Sequence, residues 1–286
     1  MKNNMPKNYF DICQGVVSIG YELRRLRSSH LKIFHKIQEG DATNIDLVSE
    51  KKIMSLIKKL FKDSEILSEE VCYFKHKGNY QSFASAQDIW LLDPIDGTNN
   101  MINGIPYYCI ALAHMKEGRT VFGLVLDLAN FDLYLAHKDF GARYLSLGKK
   151  KLIPKNLDKY QILKWKKSKI YQESLSNALL GTCHFDPKKP TEHAENLRML
   201  SLLSKEARSI RKMGSAAMDL CLCASGKLDG FWQKNLRPWD IAAAAFICEM
   251  SGLVTTSLNG KDFHPFEGSV LVGQSSLHRQ ILQLLS

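Results

Sequence analysis

The chain has 286 residues, of which 45% are hydrophobic and 24% charged, so it is long enough for one large domain or two closely joined halves with a substantial core. Its apolar runs, such as IAAAAFICEM at 241–250, are too short for a membrane span, and the N-terminal segment lacks the apolar core of a signal peptide. These features argue against a membrane protein and lead us to expect a cytoplasmic one.

The formal net charge is +10, and much of it lies in the stretch KKKLIPKNLDKYQILKWKKSK at 149–169. Such a charge suits a nucleic acid or an anionic small molecule as partner. Because no nucleic-acid-binding motif accompanies the lysines, we interpret the stretch as a solvated face or loop. Nucleic acid stays an alternative partner.

The seven cysteines are odd in number and their spacing fits no disulfide framework. Cys221 and Cys223 form CxC rather than CxxC, and the scattered histidines include no HExxH motif, so no zinc site is expected. We interpret the cysteines as buried apolar side chains.

In chain order, the N-terminal half is predicted to contain a long helix over 7–39, a second helix from 44 to about 61, a short strand at 65–67 and a polar loop over 72–88. A strand buried on both faces, IWLLD, follows this loop. The runs YYCIALAHM and VFGLVLDLANFDLYLAHK then predict antiparallel strands, and GARYL predicts the last strand of that sheet.

The pattern changes near residue 155, which we take as the boundary between an N-terminal α+β half, 1–155, and a C-terminal α/β half, 156–286. In the second half, predicted helices alternate with short predicted strands. The helices are expected over 171–179, 190–206, 214–226 and 238–251, and the strands near 178–182, 208–212, 229–232 and 270–273.

The segment WLLDPIDGTNNM at 90–101 places two aspartates at the end of the buried strand. Pro94 forces a sharp turn, so the carboxylates of Asp93 and Asp96 and the carbonyl of Ile95 can converge. Such oxygen ligands suit Mg²⁺, and the Gly97–Thr98 amides at a helix start suit a phosphate. Taken alone, the same sequence is also typical of an ordinary turn with capping aspartates.

Other acidic segments strengthen the functional interpretation. The pair Glu69–Glu70 follows a predicted strand, Asp240 precedes an alanine-rich helix that could pack closely on the metal strand, and Asp46 follows Thr43 at a helix start. Each has a structural alternative, either a solvated surface pair or a helix cap. Their joint occurrence favours a metal-dependent phosphate site.

The sequence resembles the inositol monophosphatase family of magnesium-dependent, lithium-sensitive sugar phosphatases. WLLDPIDGTNN resembles the first family signature and RPWDIAAAAFICEMSGL the second. The segments TNIDLVSE, ILSEE and MGSAAMDLCLCASGKLDGFW resemble its upstream acidic elements and its substrate-side segment. The resemblance extends from about residue 8 to residue 275.

This resemblance implies two or three Mg²⁺ ions. Glu69, Asp93 and the Ile95 carbonyl would hold the first, Asp93, Asp96 and Asp240 the second, and Glu69 would contribute to a weaker third. Thr98, oriented by Asp46, and Glu69 would activate the attacking water. The implied substrate-binding residues are Asp96, Gly97, Thr98, Gly214, Ser215, Ala216, Gln233 and Asp240, with Thr182 nearby.

The resemblance also implies a five-layered αβαβα sandwich, with an antiparallel sheet of about six strands, a smaller mixed sheet and the site between them. Family members are commonly homodimers. Two positions depart from the family pattern. Met101 replaces an aromatic residue, which we interpret as a core substitution, and Gln233 stands where inositol phosphatases usually carry a glutamate.

The function implied by default is hydrolysis of inositol 1-phosphate. The same chemistry also serves 3′(2′),5′-bisphosphate nucleotidases, fructose-1,6-bisphosphatases and histidinol phosphatases. Asn99–Asn100 is closer to the inositol branch than to the Lys-Glu typical of the nucleotidases. A different alternative is a regulator that keeps the fold, since some bacterial family members associate with RNA polymerase and ribosomal RNA transcription.

Overall fold

The computed structural model describes residues 5–27, 31–36, 40–148, 152–156, 159–164, 174–183, 185 and 189–285. The basic stretch at 149–169 therefore lies partly outside the described residues. In the part of the chain that is described, no helix combines the length and the apolar character needed to cross a bilayer.

Two helices, α1 (Lys7–Arg27) and α2 (Asn44–Leu60), cover one face of the first sheet. The prediction of one helix over 7–39 is wrong beyond Arg27, because β1 (Ile33–Lys36) pairs antiparallel with β2 (Gly40–Thr43). Ile33 and Phe34 are 43% and 42% exposed, so these apolar residues have no core face to cover as a helix would require. The hairpin delivers Thr43 in an extended conformation as the N-cap of α2.

The first sheet has seven strands in sequential order. Their bounds are β3 Glu65–Ser68, β4 Asp88–Asp96, β5 Cys109–Lys116, β6 Arg119–Asp127, β7 Asp132–His137, β8 Gly141–Ser146 and β9 Gln161–Ile162. All neighbours are antiparallel except β3 and β4, which run parallel. The sheet thus exceeds the expected six strands, and β8 is not its last strand.

The predicted loop over 72–88 is partly helical. Helix α3 spans Glu69–His76, and a short 3₁₀ turn follows at Gln81–Phe83. Two glutamates in the first turn interact favourably with the helix dipole, and the helix ends where Lys77 takes a left-handed conformation at φ 52°. This helix start is the element that positions Glu69.

The second sheet has five strands in the order β11-β10-β12-β14-β13 and is mixed, as expected. Their bounds are β10 Leu179–Thr182, β11 Ser209–Lys212, β12 Gly230–Lys234, β13 Val254–Thr256 and β14 Ser269–Gly273. The predicted helix over 171–179 is wrong in its described part, where a single 3₁₀ turn at Leu175–Asn177 leads into β10. Residues 171–173 lie outside the described residues.

Helices α6 (Ala216–Ala224) and α7 (Pro238–Met250) lie between the two sheets, and α5 (Pro190–Glu206) and α8 (Ser275–Leu285) cover the outer face of the second. Three hydrophobic clusters separate these layers. The result is the expected αβαβα sandwich. The boundary near 155 stays a prediction, and β9, which follows it, belongs to the first sheet.

The alanine-rich helix α7 packs closely on the first sheet, in agreement with the prediction from its sequence. A Cβ atom placed on Gly123 of β6 would lie 2.6 Å from the carbonyl oxygen of Ala243. Strand β4 is buried on both faces, with Trp90 in the cluster beneath α1 and α2 and Leu91 in the cluster beneath α6 and α7. Close packing from both sides fixes the strand that ends in the two aspartates.

Candidate active site

The parallel pairing of β3 and β4 brings the first acidic residues together. Ser68 at the end of β3 lies opposite Leu92 of β4, so the residues that follow both strands emerge at the same edge of the sheet. Glu69 begins α3 on one side, and Asp93 continues β4 on the other. Two segments separated in sequence thus deliver their carboxylates to one place.

A β-bulge shapes the Asp93–Asp96 segment. Asp93 pairs with Ala111 and Asp96 with Cys109, so three steps on β4 match two steps on β5. Pro94 has no amide hydrogen to donate to the sheet, and the amide of Ile95 turns inward to donate to Asp93 Oδ1 at 3.0 Å. In a regular strand, two residues three positions apart point to opposite faces of the sheet. The bulge removes this difference, so Asp93 and Asp96 face the same side.

Asp96 connects the first sheet to α6. Its Oδ2 accepts a hydrogen bond from Ser215 Oγ at 2.7 Å and another from the Ala217 amide at 2.8 Å. Ser215 is the N-cap of α6 and is fully buried. The carboxylate thus sits on the first turn of α6, where the helix dipole favours negative charge.

Asp46 and Thr98 form a second hydrogen-bonded group. Asp46 occupies the third position of α2, and its Oδ2 accepts from the amide and hydroxyl of Thr43 in a capping box. Its Oδ1 accepts from Thr98 Oγ1 at 2.9 Å, and the same hydroxyl lies 2.8 Å from the carbonyl oxygen of Ile95. The sequence-predicted orientation of Thr98 by Asp46 has this geometry.

Asp240 lies in the first turn of α7. Its Oδ2 accepts from the backbone amide of Arg237 at 2.8 Å, and Pro238 begins the helix. Asp240 interacts electrostatically with Asp96 and Glu69 and is partly buried. The C-terminal half thus adds its carboxylate to the group formed by the N-terminal half.

The clustering of acids changes their protonation. Burial, followed by the charges of nearby Glu69, Asp96, Asp240 and Asp46, raises the pKa of Asp93 well above its usual range. Burial and the charge of Asp96 raise the pKa of Asp240 in the same direction.

Burial also raises the pKa of Asp96 to about 6, although Ser215 and the backbone of α6 oppose the shift. Burial raises the pKa of Asp46 to about 6 as well, against the lowering effect of Thr43. Buried acids with raised pKa values, close enough to repel one another, indicate a site that gains free energy by taking up protons or cations.

The donor set fits a hard divalent cation. Carboxylate and carbonyl oxygens are the ligands of Mg²⁺, which usually binds through one or two carboxylates and keeps several waters. Among the described residues, no group of three or more His, Cys, Asp or Glu side chains is arranged so that it could hold a metal ion, so the acidic side chains must approach one another to bind a cation.

Gly97 and Gly214 bring the segment before α6 to the end of β4. Gly97 has φ 91°, and a Cβ atom there would lie 2.9 Å from the Tyr107 carbonyl oxygen and 3.3 Å from Ser215 Cβ. Gly214 has φ 87° and lies against the side-chain amide of Asn100. Only glycine fits these two positions without strain. The predicted substrate residues Gly97, Thr98, Gly214, Ser215 and Ala216 therefore lie together, around the start of α6 and the short helix α4 (Thr98–Ile102).

Gln233 is engaged by the protein. Its Oε1 accepts from Thr182 Oγ1 at 2.8 Å and from the Cys183 amide at 2.9 Å, and its Nε2 donates to the Lys234 carbonyl. The side chain is 1% exposed. The amide group holds the ends of β10 and β12 together, and its predicted contact with substrate hydroxyls stays a prediction.

Sequence reasoning missed several supporting residues. Asn100 Nδ2 donates to the carbonyls of Tyr107 and Met213 at 2.8 Å each, which ties α4 to the segment before α6. Glu50 accepts from Ser68 Oγ and from the Val71 amide, which fixes the start of α3. These residues lie within the quoted motifs, but their partners are far away in sequence, so spacing alone could not identify them.

The structure confirms two interpretations made from the sequence. All seven cysteines are buried and none forms a disulfide. Met101 is 1% exposed within the cluster beneath α1 and α2, as expected for a core substitution.

Comparison with known proteins relates this chain to one protein family. The chain matches the model of the inositol monophosphatase family over residues 11–286. It is 29% identical to the Nus factor SuhB of Pasteurella multocida over 268 residues, which is 93% of this chain and 89% of that protein. It is 28% identical to the inositol-1-monophosphatase of Caulobacter vibrioides over 259 residues, 90% of this chain and 91% of that protein.

A solved structure of an IMPase from Thermotoga maritima has the same fold, with a TM-score of 0.78 and 23% identity over 98% of this chain and 97% of that one. The family model, the relatives and the shared fold cover nearly the whole sequence. The chain therefore belongs to the inositol monophosphatase family.

Proposed function

We propose that the chain is a Mg²⁺-dependent phosphomonoesterase of small polyol or sugar phosphates, with inositol 1-phosphate as the default substrate. The observation that carries the proposal is the gathering of Asp46, Glu69, Asp93, Asp96 and Asp240 from separate elements into one mutually repelling group. Such an arrangement costs stability unless a cation balances it, and phosphoryl transfer is one chemistry that depends on such cations.

The resemblance to the inositol monophosphatase family implies the ligands. Glu69, Asp93 and the Ile95 carbonyl would hold one Mg²⁺, and Asp93, Asp96 and Asp240 a second. When bound, Mg²⁺ supplies electrostatic stabilisation of the phosphoryl oxygens and makes water more acidic. The remaining steps depend on the side chains of the chain itself.

Thr98 and Asp46 would position the attacking water. The Thr98 hydroxyl has one proton and two acceptors within 2.9 Å, Asp46 Oδ1 and the Ile95 carbonyl oxygen. If the Ile95 carbonyl served as a ligand, Thr98 would donate its proton to Asp46, which would leave the lone pairs of Oγ1 to accept from the water. The hydroxyl then accepts a hydrogen bond from the water and fixes its direction of attack. Glu69 at the start of α3 is the second acceptor for the proton of that water.

The start of α6 would orient the substrate. Ser215 and the Ala217 amide hold Asp96, and the preceding Gly214 lies against the side-chain amide of Asn100, which fixes the start of α6 beside the carboxylates. Positioning and charge neutralisation account for catalysis without a covalent intermediate, in agreement with the burial of every cysteine.

The test is a phosphatase screen over inositol, fructose, nucleotide and histidinol phosphates, with and without Mg²⁺. We expect Mg²⁺-dependent phosphate release, fastest with inositol 1-phosphate. Thr98→Val keeps the shape of the side chain but removes the hydroxyl, and it should lower kcat by about 10²–10⁴-fold. Thr120→Val, on β6, is the matched control and should leave kcat unchanged. Phosphate release without Mg²⁺, or none from any substrate, would refute the proposal.

A second candidate is a role with RNA in transcription. The name of the Pasteurella multocida relative, Nus factor, and the net charge of +10 support it. It predicts RNA binding that weakens steeply with salt. Such binding without hydrolysis in the screen would favour the regulator over the enzyme. A homodimer, expected from the family resemblance, is tested by light scattering of the purified protein.

A further inference from the structure

A cavity of about 430 Å³ lies at the C-terminal end of α1. Its size is that of a small-molecule pocket rather than of a gap between side chains. The pocket is lined by Arg24, Arg27, Pro106, Tyr108, Leu128 and Ala129. We call it the arginine pocket.

Both arginines of the arginine pocket are held in place by aromatic side chains. Arg27 Nη1 donates to Tyr108 Oη at 2.6 Å, and its guanidinium carbon lies 5.2 Å from the centre of the same ring. The guanidinium carbon of Arg24 lies 5.4 Å from the centre of the buried Phe131 ring, which stacks on Tyr21. These contacts preorganise the two cations, so less entropy is lost when a ligand binds.

No carboxylate lines the arginine pocket, and neither Arg24 nor Arg27 forms an ion pair with any described residue. Asp127 is next to the lining residue Leu128, but it is used by the turn. Its Oδ1 accepts from the amides of Ala129 and Asn130, and its Oδ2 accepts from Asn130 Nδ2. Two cations three residues apart on a helix lie on the same face, and when they share a cavity they repel one another. An anion in the cavity would remove this repulsion.

We propose that the arginine pocket binds the phosphate group of a small molecule. Guanidinium groups match phosphate oxygens with paired hydrogen bonds, and Pro106, Leu128 and Ala129 provide an apolar floor for the body of the ligand. A concave site of this volume suits a nucleotide-sized molecule better than an extended RNA strand, which needs a continuous basic surface with stacking rings.

The arginine pocket adjoins the carboxylate group but is not part of it. A Cβ atom on Gly97 would lie 3.2 Å from Tyr108 Cβ. Tyr108, which bonds Arg27, therefore also packs against the end of β4. The phosphate has two possible sources. It belongs either to a distal part of the substrate or to a separate molecule, and the pocket itself does not depend on hydrolysis by this chain.

The test is calorimetric titration with pyrophosphate in the presence of EDTA, so that the carboxylate group carries no divalent cation. We expect binding to the unaltered chain and a loss of affinity of at least about tenfold in Arg27→Gln and in Arg24→Gln, each removing one paired contact. Arg198→Gln, on the exposed face of α5, removes the same charge and should change the affinity less than twofold. Circular dichroism confirms that each variant is folded.

Kinetics of the same variants identify the source of the phosphate. If Arg27→Gln lowers kcat/KM for a bisphosphate but not for inositol 1-phosphate, the ligand is a distal phosphate of the substrate. If both values stay unchanged while pyrophosphate affinity falls, the ligand is a separate molecule. Pyrophosphate that fails to bind the unaltered chain, or that binds both arginine variants as tightly, would overturn the proposal.

Discussion

The buried imidazole of His114 predicts a loss of stability in acid. His114 lies on β5 with no exposed side-chain surface, stacked on Trp90 at 4.2 Å. Its Nδ1 lies 2.9 Å from Tyr9 Oη and its Nε2 lies 2.8 Å from Asp88 Oδ1. The neutral ring satisfies both contacts, since Tyr9 donates to Nδ1 and Nε2–H donates to Asp88. A second proton, on Nδ1, would remove the acceptor of the Tyr9 hydroxyl.

The size of this loss of stability follows from the shift of the His114 pKa on folding. Burial lowers the pKa of His114 from 6.5 to about 4, against the opposing effect of Asp88. Because the folded pKa is the lower one, His114 stabilises the fold fully above pH 6.5, and this contribution is lost as the pH falls towards 4. At about 1.4 kcal/mol per pH unit the full effect is about 3 kcal/mol. About 2 kcal/mol of it should be lost between pH 7.5 and pH 5.

The assay is urea unfolding of the unaltered chain and of His114→Gln at pH 7.5 and pH 5. The buried acids of the active site oppose the effect, because the raised pKa of Asp46 and of Asp96 favours the folded state in acid. These acids are the same in both proteins, so the comparison isolates His114. We expect the unaltered chain to lose about 2 kcal/mol more than the variant on acidification. Equal losses in the two proteins would refute the reasoning.

Three further predictions concern packing, specificity and inhibition. Gly123→Ala should lower the free energy of unfolding by about 1–3 kcal/mol, because the new Cβ would lie 2.6 Å from the Ala243 carbonyl oxygen. Denaturant unfolding measures this loss. An unchanged free energy of unfolding would contradict the close packing of α7 on β6. Gln233→Glu keeps an acceptor for Thr182 and the Cys183 amide and should raise kcat/KM for inositol 1-phosphate over other phosphates; an unchanged preference would argue against a ring contact. Li⁺ at millimolar concentration should inhibit hydrolysis, as the family resemblance implies, and activity insensitive to Li⁺ would point to another branch.

The sequence allowed prediction of those features that depend on local chemistry. Pro94 turns the chain, so the carboxylates of Asp93 and Asp96 converge. The small side chains of α7 allow this helix to pack closely on a sheet. Strand β4, a continuous apolar run, is buried on both faces as that pattern predicts. In each case, neighbouring residues specify the structure by themselves.

Other features depend on partners far away in the chain. The apolar spacing before Ile37 predicted a helix, but pairing of β1 with β2 decides the structure of Ile33–Lys36. The bonds of Gln233 to Thr182 and Cys183 cross about fifty residues of sequence and link the ends of β10 and β12, which spacing alone does not predict. Arg24 and Arg27 lie near the end of α1, and Tyr108, which bonds Arg27, is 81 residues away in sequence, so the pattern of the helix alone does not predict the arginine pocket.

Direct measurement of Mg²⁺ binding tests the central claim most closely. Calorimetric titration of the unaltered chain should show Mg²⁺ binding, and Asp93→Asn should abolish it while retaining or raising stability, since the substitution relieves repulsion. Asp229→Asn, a buried aspartate that instead bonds the Leu179 amide, is the matched control and should bind Mg²⁺ normally. An unaltered chain that binds no Mg²⁺, or an Asp93→Asn variant that binds it equally well, would contradict the account.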